Sequence, residues 1–133
     1  MKYLIDTHIL IWLAVSPEKI SKKLFEIIEN PENSIFVSTV SFWEIAIKIS
    51  VGKLDLQGVS SDDLIKMCNE QSISIIELPV SAVKEYKRLA IKHNHKDPFD
   101  RILISICISD NYTFLSEDTK LKQYNSDGLN FVS

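Results

Sequence analysis

Glycine and proline are scarce, three and four among 133 residues. That argues against long disordered or linker segments and for helices and strands joined by short connections. Cysteine is nearly absent. Cys68 and Cys107 stand far apart and match no metal-ligand spacing, so no disulfide framework or zinc cluster is expected, only buried thiols in a reducing compartment. An excess of positive charge is also missing: 15 Lys and Arg face 18 Asp and Glu, a net charge of −3. A protein that coats a duplex is basic, so any nucleic-acid contact here has to be local. No apolar run reaches the roughly 18 residues of a membrane span. Asp6 interrupts the N-terminus too early for a signal peptide. A cytoplasmic protein is expected. There is no internal repeat and no low-complexity segment. What is present is an ordinary globular composition, 45% hydrophobic and 25% charged, at a length that fits one domain over residues 1–133 with a single core.

Lys2 to Ile5 is apolar without alternation, as in a strand buried on both faces. Similar runs predict strands at 34–38, 73–78 and 112–115, and a marginal one at 129–132. Helical periodicity falls between them, at 9–15, 20–29, from Thr39 or Ser41 to about Gly52, 61–71, 81–92 and 98–109, with a short helix at 118–124. Ser41 has Glu44 three residues on, the capping-box spacing. In the helix 81–92, Val83, Tyr86, Leu89 and Ala90 share a face, and Trp12 and Trp43 fall at helical positions that read as core. Strands alternate with helices and no good hairpin signal occurs. The pattern predicts an α/β fold with a central parallel sheet covered by helices on both faces.

The stretch His93-Asn94-His95-Lys96-Asp97-Pro98-Phe99-Asp100-Arg101 runs straight into an apolar segment from Ile102 to Ile108. Asp97 is a good N-cap, Pro98 suits the first helical position, and the helix that follows should be buried. Asp100, one turn in, has no structural need to be there. Asp6 ends the first strand and Asp118 follows the fourth. Ligands bind beyond the carboxyl ends of parallel strands, and Glu44 and Asp100 are compatible with the same edge. Up to four carboxylates can converge there. Uncompensated, they repel and push pKa values upward. A divalent cation removes that cost, and hard oxygen donors without a His/Cys set suit Mg²⁺ or Mn²⁺ rather than zinc. The natural chemistry is metal-activated water attacking a phosphodiester. Plainer roles compete at the positions other than Asp100. Glu44 can pair with Lys48 at i+4, Asp97 with Arg101, and Asp118 can cap the short helix. His8, His93 and His95 lack metal-ligand spacing. Lys48, His93, His95, Lys96 and Arg101 are candidates for holding phosphate.

Three blocks resemble the signatures of PIN-domain proteins, and most of all the VapC-type toxin ribonucleases of bacterial toxin–antitoxin pairs. They are Asp6-Thr7-His8 with Trp12, then Ser41-Phe42-Trp43-Glu44-Ile45-Ala46-Ile47-Lys48 with Gly52-Lys53-Leu54, and His95-Lys96-Asp97-Pro98-Phe99-Asp100-Arg101. They occur in the family's order and cover almost the whole chain. The resemblance implies a three-layer α/β/α sandwich and a Mg²⁺- or Mn²⁺-dependent endoribonuclease. It matches the family's metal-site acids to Asp6, Glu44, Asp100 and Asp118, with Asp118 chosen over Glu117 and Ser116 as the small hydroxyl residue before it. It also implies a homodimer and a small antitoxin that covers the site. A PIN-fold RNA-processing nuclease without a toxin role, or a catalytically silent binding partner, is the alternative. A haloacid-dehalogenase-type phosphatase would want an acid where His8 stands. A response-regulator receiver would want an acidic pair where Asp6-Thr7 stands and an acceptor Asp ending a middle strand.

Overall fold

The computed structural model describes residues 1–92 and 94–133; His93, one of the phosphate candidates, lies outside the described residues. The chain alternates β1 (Lys2–Ile5), α1 (Thr7–Val15), α2 (Lys22–Glu29), β2 (Ser34–Ser38), α3 (Thr39–Ser50), α4 (Ser61–Glu70), β3 (Ile73–Ile76), α5 (Val80–Arg88), α6 (Pro98–Asp110), β4 (Thr113–Leu115) and β5 (Asn130–Val132). A 3₁₀ helix, Thr119–Asp127, lies between the last two strands. The strands form one sheet in the order β3-β2-β1-β4-β5, and every pairing is parallel. The α/β sandwich expected from the alternation is the fold found.

Side chains alternate across the strands, as the period of two demands. Tyr3, Ile5, Ile35 and Val37 pack to one face with Ile9, Leu10 and Leu13 of α1, Leu24 and Ile28 of α2, and Leu64 and Cys68 of α4. Leu4 and Phe114 face the other way, onto Ala82 of α5, Leu103, Ile104 and Cys107 of α6, and Leu121 and Tyr124 of the 3₁₀ helix. Both cysteines are buried free thiols, as expected. No helix among the described residues is long and apolar enough to cross a membrane.

Several local expectations are corrected. A 3₁₀ turn at Pro17–Lys19 precedes α2, and Ser21 caps the helix by accepting the Leu24 N–H at 3.3 Å, so α2 starts two residues after Ile20. Neither Thr39 nor Ser41 caps α3. Ser38, the last residue of β2, does so by accepting the Val40 N–H at 3.0 Å, and the Ser41–Glu44 capping box does not form. Strand passes into helix without a loop, which sets Glu44 in the second turn. Helix α5 ends at Arg88 rather than Lys92 because Leu89 is extended (φ −62°, ψ 132°). Its buried face holds Ala82 and Leu89, while Val83 and Ala90 are exposed. Trp43 is 61% exposed and rests edge-on against Phe99; it is not core. Trp12 is half-buried against the core.

Candidate active site

The central pair of strands builds the site. β1 and β4 run in parallel with Ile5 opposite Leu115, so the residues that follow, Asp6 and Ser116, emerge side by side. The Asp6 N–H continues the ladder to the Leu115 carbonyl at 3.1 Å. One Asp6 carboxylate oxygen caps α1, accepting the Ile9 N–H at 2.8 Å. The other accepts the Ser116 hydroxyl. Asp6 is only 5% exposed. Burial pushes its pKa up from 3.8 to about 6, against the lowering effect of the Ser116 and Ile9 hydrogen bonds.

On α6 two acids divide the work. Asp97 is the N-cap, accepting the N–H groups of Phe99 at 2.9 Å and Asp100 at 3.4 Å, and Pro98 follows at the first helical position. Asp100 is left free to face the sheet edge. Its pKa is raised, first by burial and then by the charge of Asp97; His95 opposes the shift, and the Glu44 charge adds to it. The His95 Nε2 lies 3.2 Å from Asp100 Oδ2. Asp118 donates its N–H to Ser116 Oγ at 3.1 Å and caps the 3₁₀ helix through the Lys120 N–H at 3.0 Å. One donor atom each from His95, Asp100 and Asp118 lies within 4.8 Å of the others. Asp6, Asp100 and Asp118 line one cleft of about 330 Å³ with His8, Trp12 and Glu117. Glu117 also borders the cleft, but its carboxylate accepts the Ser21 N–H at 2.8 Å, which ties it to the start of α2. A larger cavity, about 640 Å³, opens between Leu13, Phe25, Ile28 and Gln71, and none of the four candidate acids reaches it.

Glu44 stands apart from the other three. It is 2% exposed and is held by the Thr7 hydroxyl at 2.7 Å and the Lys48 ammonium at 2.6 Å. The i,i+4 pair with Lys48 therefore forms. Burial works against the Lys48 charge, but the hydrogen bond and charge of Glu44 outweigh it and raise its pKa. Glu44 is not on the wall of the cleft, although its charge is felt at Asp100.

The phosphate candidates fare unevenly. Lys48 is committed to Glu44. Arg101 is buried and pairs with neither Asp97 nor Asp100. Its guanidinium donates to the Ala90 carbonyl at 3.1 Å, the Leu89 carbonyl at 3.4 Å and the Tyr124 hydroxyl at 3.0 Å. His95 is 7% exposed, closed in between Asp100 and Tyr124, with Nδ1 2.8 Å from the Tyr124 hydroxyl. Neither group is open to a passing phosphate. Lys96 is exposed. Sequence reasoning missed Thr7 and Tyr124, and it missed the part of His95 that faces Asp100. Thr7 follows Asp6 directly, so its place beside the site was readable, but its bond to Glu44, 37 positions on, was not.

Three carboxylates around one cleft, two of them pushed toward protonation, form a site short of positive charge. Oxygen donors with at most one imidazole fit a hard divalent cation.

The PIN domain family model matches residues 3–126. Among curated proteins none matches. Solved structures do. VapBC2 from Rickettsia felis, bound to a DNA fragment from its promoter, superposes with a TM-score of 0.67 at 19% identity, covering 99% of this chain and 98% of that one. VapBC-1 from nontypeable Haemophilus influenzae gives 0.66 at 16% identity over 100% and 98%. VapBC-5 from Mycobacterium tuberculosis, a member of the VapBC family of toxin–antitoxin systems, gives 0.60 at 10% over 98% and 97%. At these identities the likeness is one of fold.

Proposed function

The chain belongs to the PIN-domain family, and from that premise we propose that it is a Mg²⁺- or Mn²⁺-dependent endoribonuclease, the toxin of a toxin–antitoxin pair. The observation that carries this reading is the charge-starved cleft of Asp6, Asp100 and Asp118 at the carboxyl edge of the sheet. Asp6 and Asp100 would hold the cation, directly or through water, Asp118 would complete or orient the shell, and Glu44, set back from the cleft, would act on it through its charge at Asp100. A bound divalent cation supplies the Lewis acidity that activates water and offsets charge on the phosphodiester.

The chain's own residues prepare that chemistry. Ser116 and the α1 amide fix both oxygens of Asp6. Thr7 fixes one oxygen of Glu44, and Lys48 offsets its charge. Among the described residues no side chain stands out as a general base, so proton removal falls to solvent. The solved neighbour VapBC-5 is a member of the VapBC family of toxin–antitoxin systems, which supports a small antitoxin as partner, one that covers the cleft and offers it a cation. A homodimer and a cytoplasmic location belong to the same proposal.

The test is cleavage of a mixed RNA pool by purified protein with Mg²⁺ or Mn²⁺ and with chelator, beside Asp6→Asn. Metal-dependent cleavage that Asp6→Asn abolishes is expected. Cleavage that survives chelation, or that the variant performs equally well, overturns the mechanism. A short upstream reading frame encoding a DNA-binding protein is expected for a toxin, and its absence favours a general RNA-processing role.

A further inference from the structure

Arg101, Tyr124 and His95 form a hydrogen-bonded line that ends on Asp100. The Arg101 guanidinium is anchored by the carbonyls of Leu89 and Ala90 and donates to the Tyr124 oxygen at 3.0 Å. That oxygen keeps one proton to give. His95 Nδ1 is 2.8 Å away, against 3.4 Å for the His95 carbonyl, so the ring nitrogen is the better acceptor. A neutral His95 that accepts at Nδ1 carries its proton on Nε2, and Nε2 faces Asp100 Oδ2 at 3.2 Å. The opposite tautomer would set a lone pair against a carboxylate. With Asp100 ionised and His95 neutral, this direction gives each bond in the line a donor and an acceptor.

The loop that carries His95 is tied to the 3₁₀ helix a second time. Asp127 pairs with the Lys92 ammonium at 3.1 Å and accepts the Ala90 N–H at 3.3 Å, and the His95 N–H bonds the Lys92 carbonyl at 3.0 Å. Tyr124 is fully buried, and His95 and Arg101 nearly so. A fully satisfied buried polar network holds its members in one geometry. Carboxylates that bind metals depend on such outer partners for their orientation.

We propose that His95 is a positioning residue, set by Tyr124 and Arg101, whose Nε2–H aims the Asp100 carboxylate at the divalent cation. The proposal rests on the metal reading above. It makes the 3₁₀ helix Thr119–Asp127 a working wall of the site.

The test uses the full chain, without RNA, and Mn²⁺ as the probe. In the metal-free protein, ¹⁵N spectra of the neutral His95 ring are expected to show the Nε2–H form. Tyr124→Phe is expected to lose that fixed tautomer and to weaken Mn²⁺ affinity about 10- to 100-fold. A Tyr124 that serves only the core would lower the melting temperature in chelator and leave both readouts unchanged in the folded fraction. That result overturns the proposal, as does an Nδ1–H tautomer in the parent. His95→Gln and His95→Leu decide the matter even where Tyr124→Phe does not fold. Gln can still donate to Asp100 and is expected to keep more Mn²⁺ affinity than Leu; equal affinities overturn the proposal. A parent chain that binds no Mn²⁺ overturns the metal reading and this one with it. A parent that binds it, with variants that bind equally, overturns this one alone.

Discussion

The two helix starts that face the cleft solve one problem in opposite ways. At α1 a single carboxylate does two jobs: Asp6 caps the helix through the Ile9 N–H and also lines the acidic cleft. At α6 the jobs are divided. The exposed Asp97 caps, and Asp100, three residues later, looks into the cleft. The difference follows from how each helix is reached. α1 begins directly off β1 at the sheet edge, so its cap is already at the site. α6 is reached through a loop and can spend a separate residue on its cap. A substitution at α1 therefore mixes stability with function, whereas at α6 the two effects can be separated.

The largest expected effects are on cleavage. Asp6→Asn and Asp100→Asn should each lower the rate about 100-fold or more, the scale of losing one well-placed electrostatic group. Neither should unfold the protein. Asn caps a helix about as well as Asp, and both substitutions remove a carboxylate that burial already disfavours. Initial rates of RNA cleavage at saturating Mn²⁺, together with melting temperatures in chelator, check this. Asp97→Asn should keep close to the parent rate. A comparable loss at Asp97 would erase the division of labour at α6.

Next in size is the coupling of metal, proton and stability. At a concentration about 100 times its dissociation constant, a cation that binds only the folded state adds about 2.7 kcal/mol, which raises the melting temperature by several degrees. Asp6→Asn and Asp100→Asn should lose most of that rise. The pH dependence has a definite sign. Asp6 has a pKa of about 6 when folded, against 3.8 as its ordinary value, so folding favours the protonated acid. In chelator that contribution is complete below about pH 4 and is lost as the pH rises through about 6. Asp100 is shifted in the same direction. Asp6→Asn should therefore gain stability relative to the parent as the pH is raised across this window. The rise caused by Mn²⁺ in the parent should shrink as the pH falls, since the cation takes the ionised form. Parallel melting curves over pH, with chelator and with Mn²⁺, measure both trends, and a variant that loses stability relative to the parent as the pH rises contradicts them.

Legibility in the sequence followed the range of the interaction. Strands such as Lys2–Ile5 and Ser34–Ser38 were read to the residue because they are continuous apolar runs, and the parallel sheet followed from their alternation with helices. The cap at Asp97 was equally plain, since cap and helix are neighbours in the chain. Asp6 and Asp100, which line one cleft with Asp118, drew notice because each stands beside an apolar segment. The misses come from contacts that local pattern does not encode. Trp43 has the spacing of a core residue, but α3 leaves the sheet edge directly and turns that side chain outward. Leu89 fits the helical period of α5, yet Arg101, twelve positions on, takes its carbonyl where the helix stops. His95 reads as a loop histidine until the 3₁₀ helix brings Tyr124 against it.

The smallest effect isolates the cap itself. Asp97→Ala removes the acceptor for the first two free amides of α6 and should cost about 1 kcal/mol. Asp97→Asn, which keeps an acceptor, should stay within about 0.5 kcal/mol of the parent, as surface changes generally do. The Asp97 charge is also one of the causes that raise the Asp100 pKa. Both variants remove that charge, so both should lower the Asp100 pKa slightly and ease metal binding at acidic pH, although only Ala weakens the helix. Denaturant midpoints separate the two variants, and Mn²⁺ titrations at acidic and neutral pH should group them together. Opposite groupings in the two measurements are the mark of a cap and a charge acting independently. If Ala and Asn differ in metal affinity by as much as they differ in stability, the start of α6 is carrying Asp100 with it, and the two ends of the comparison come closer than their geometry implies.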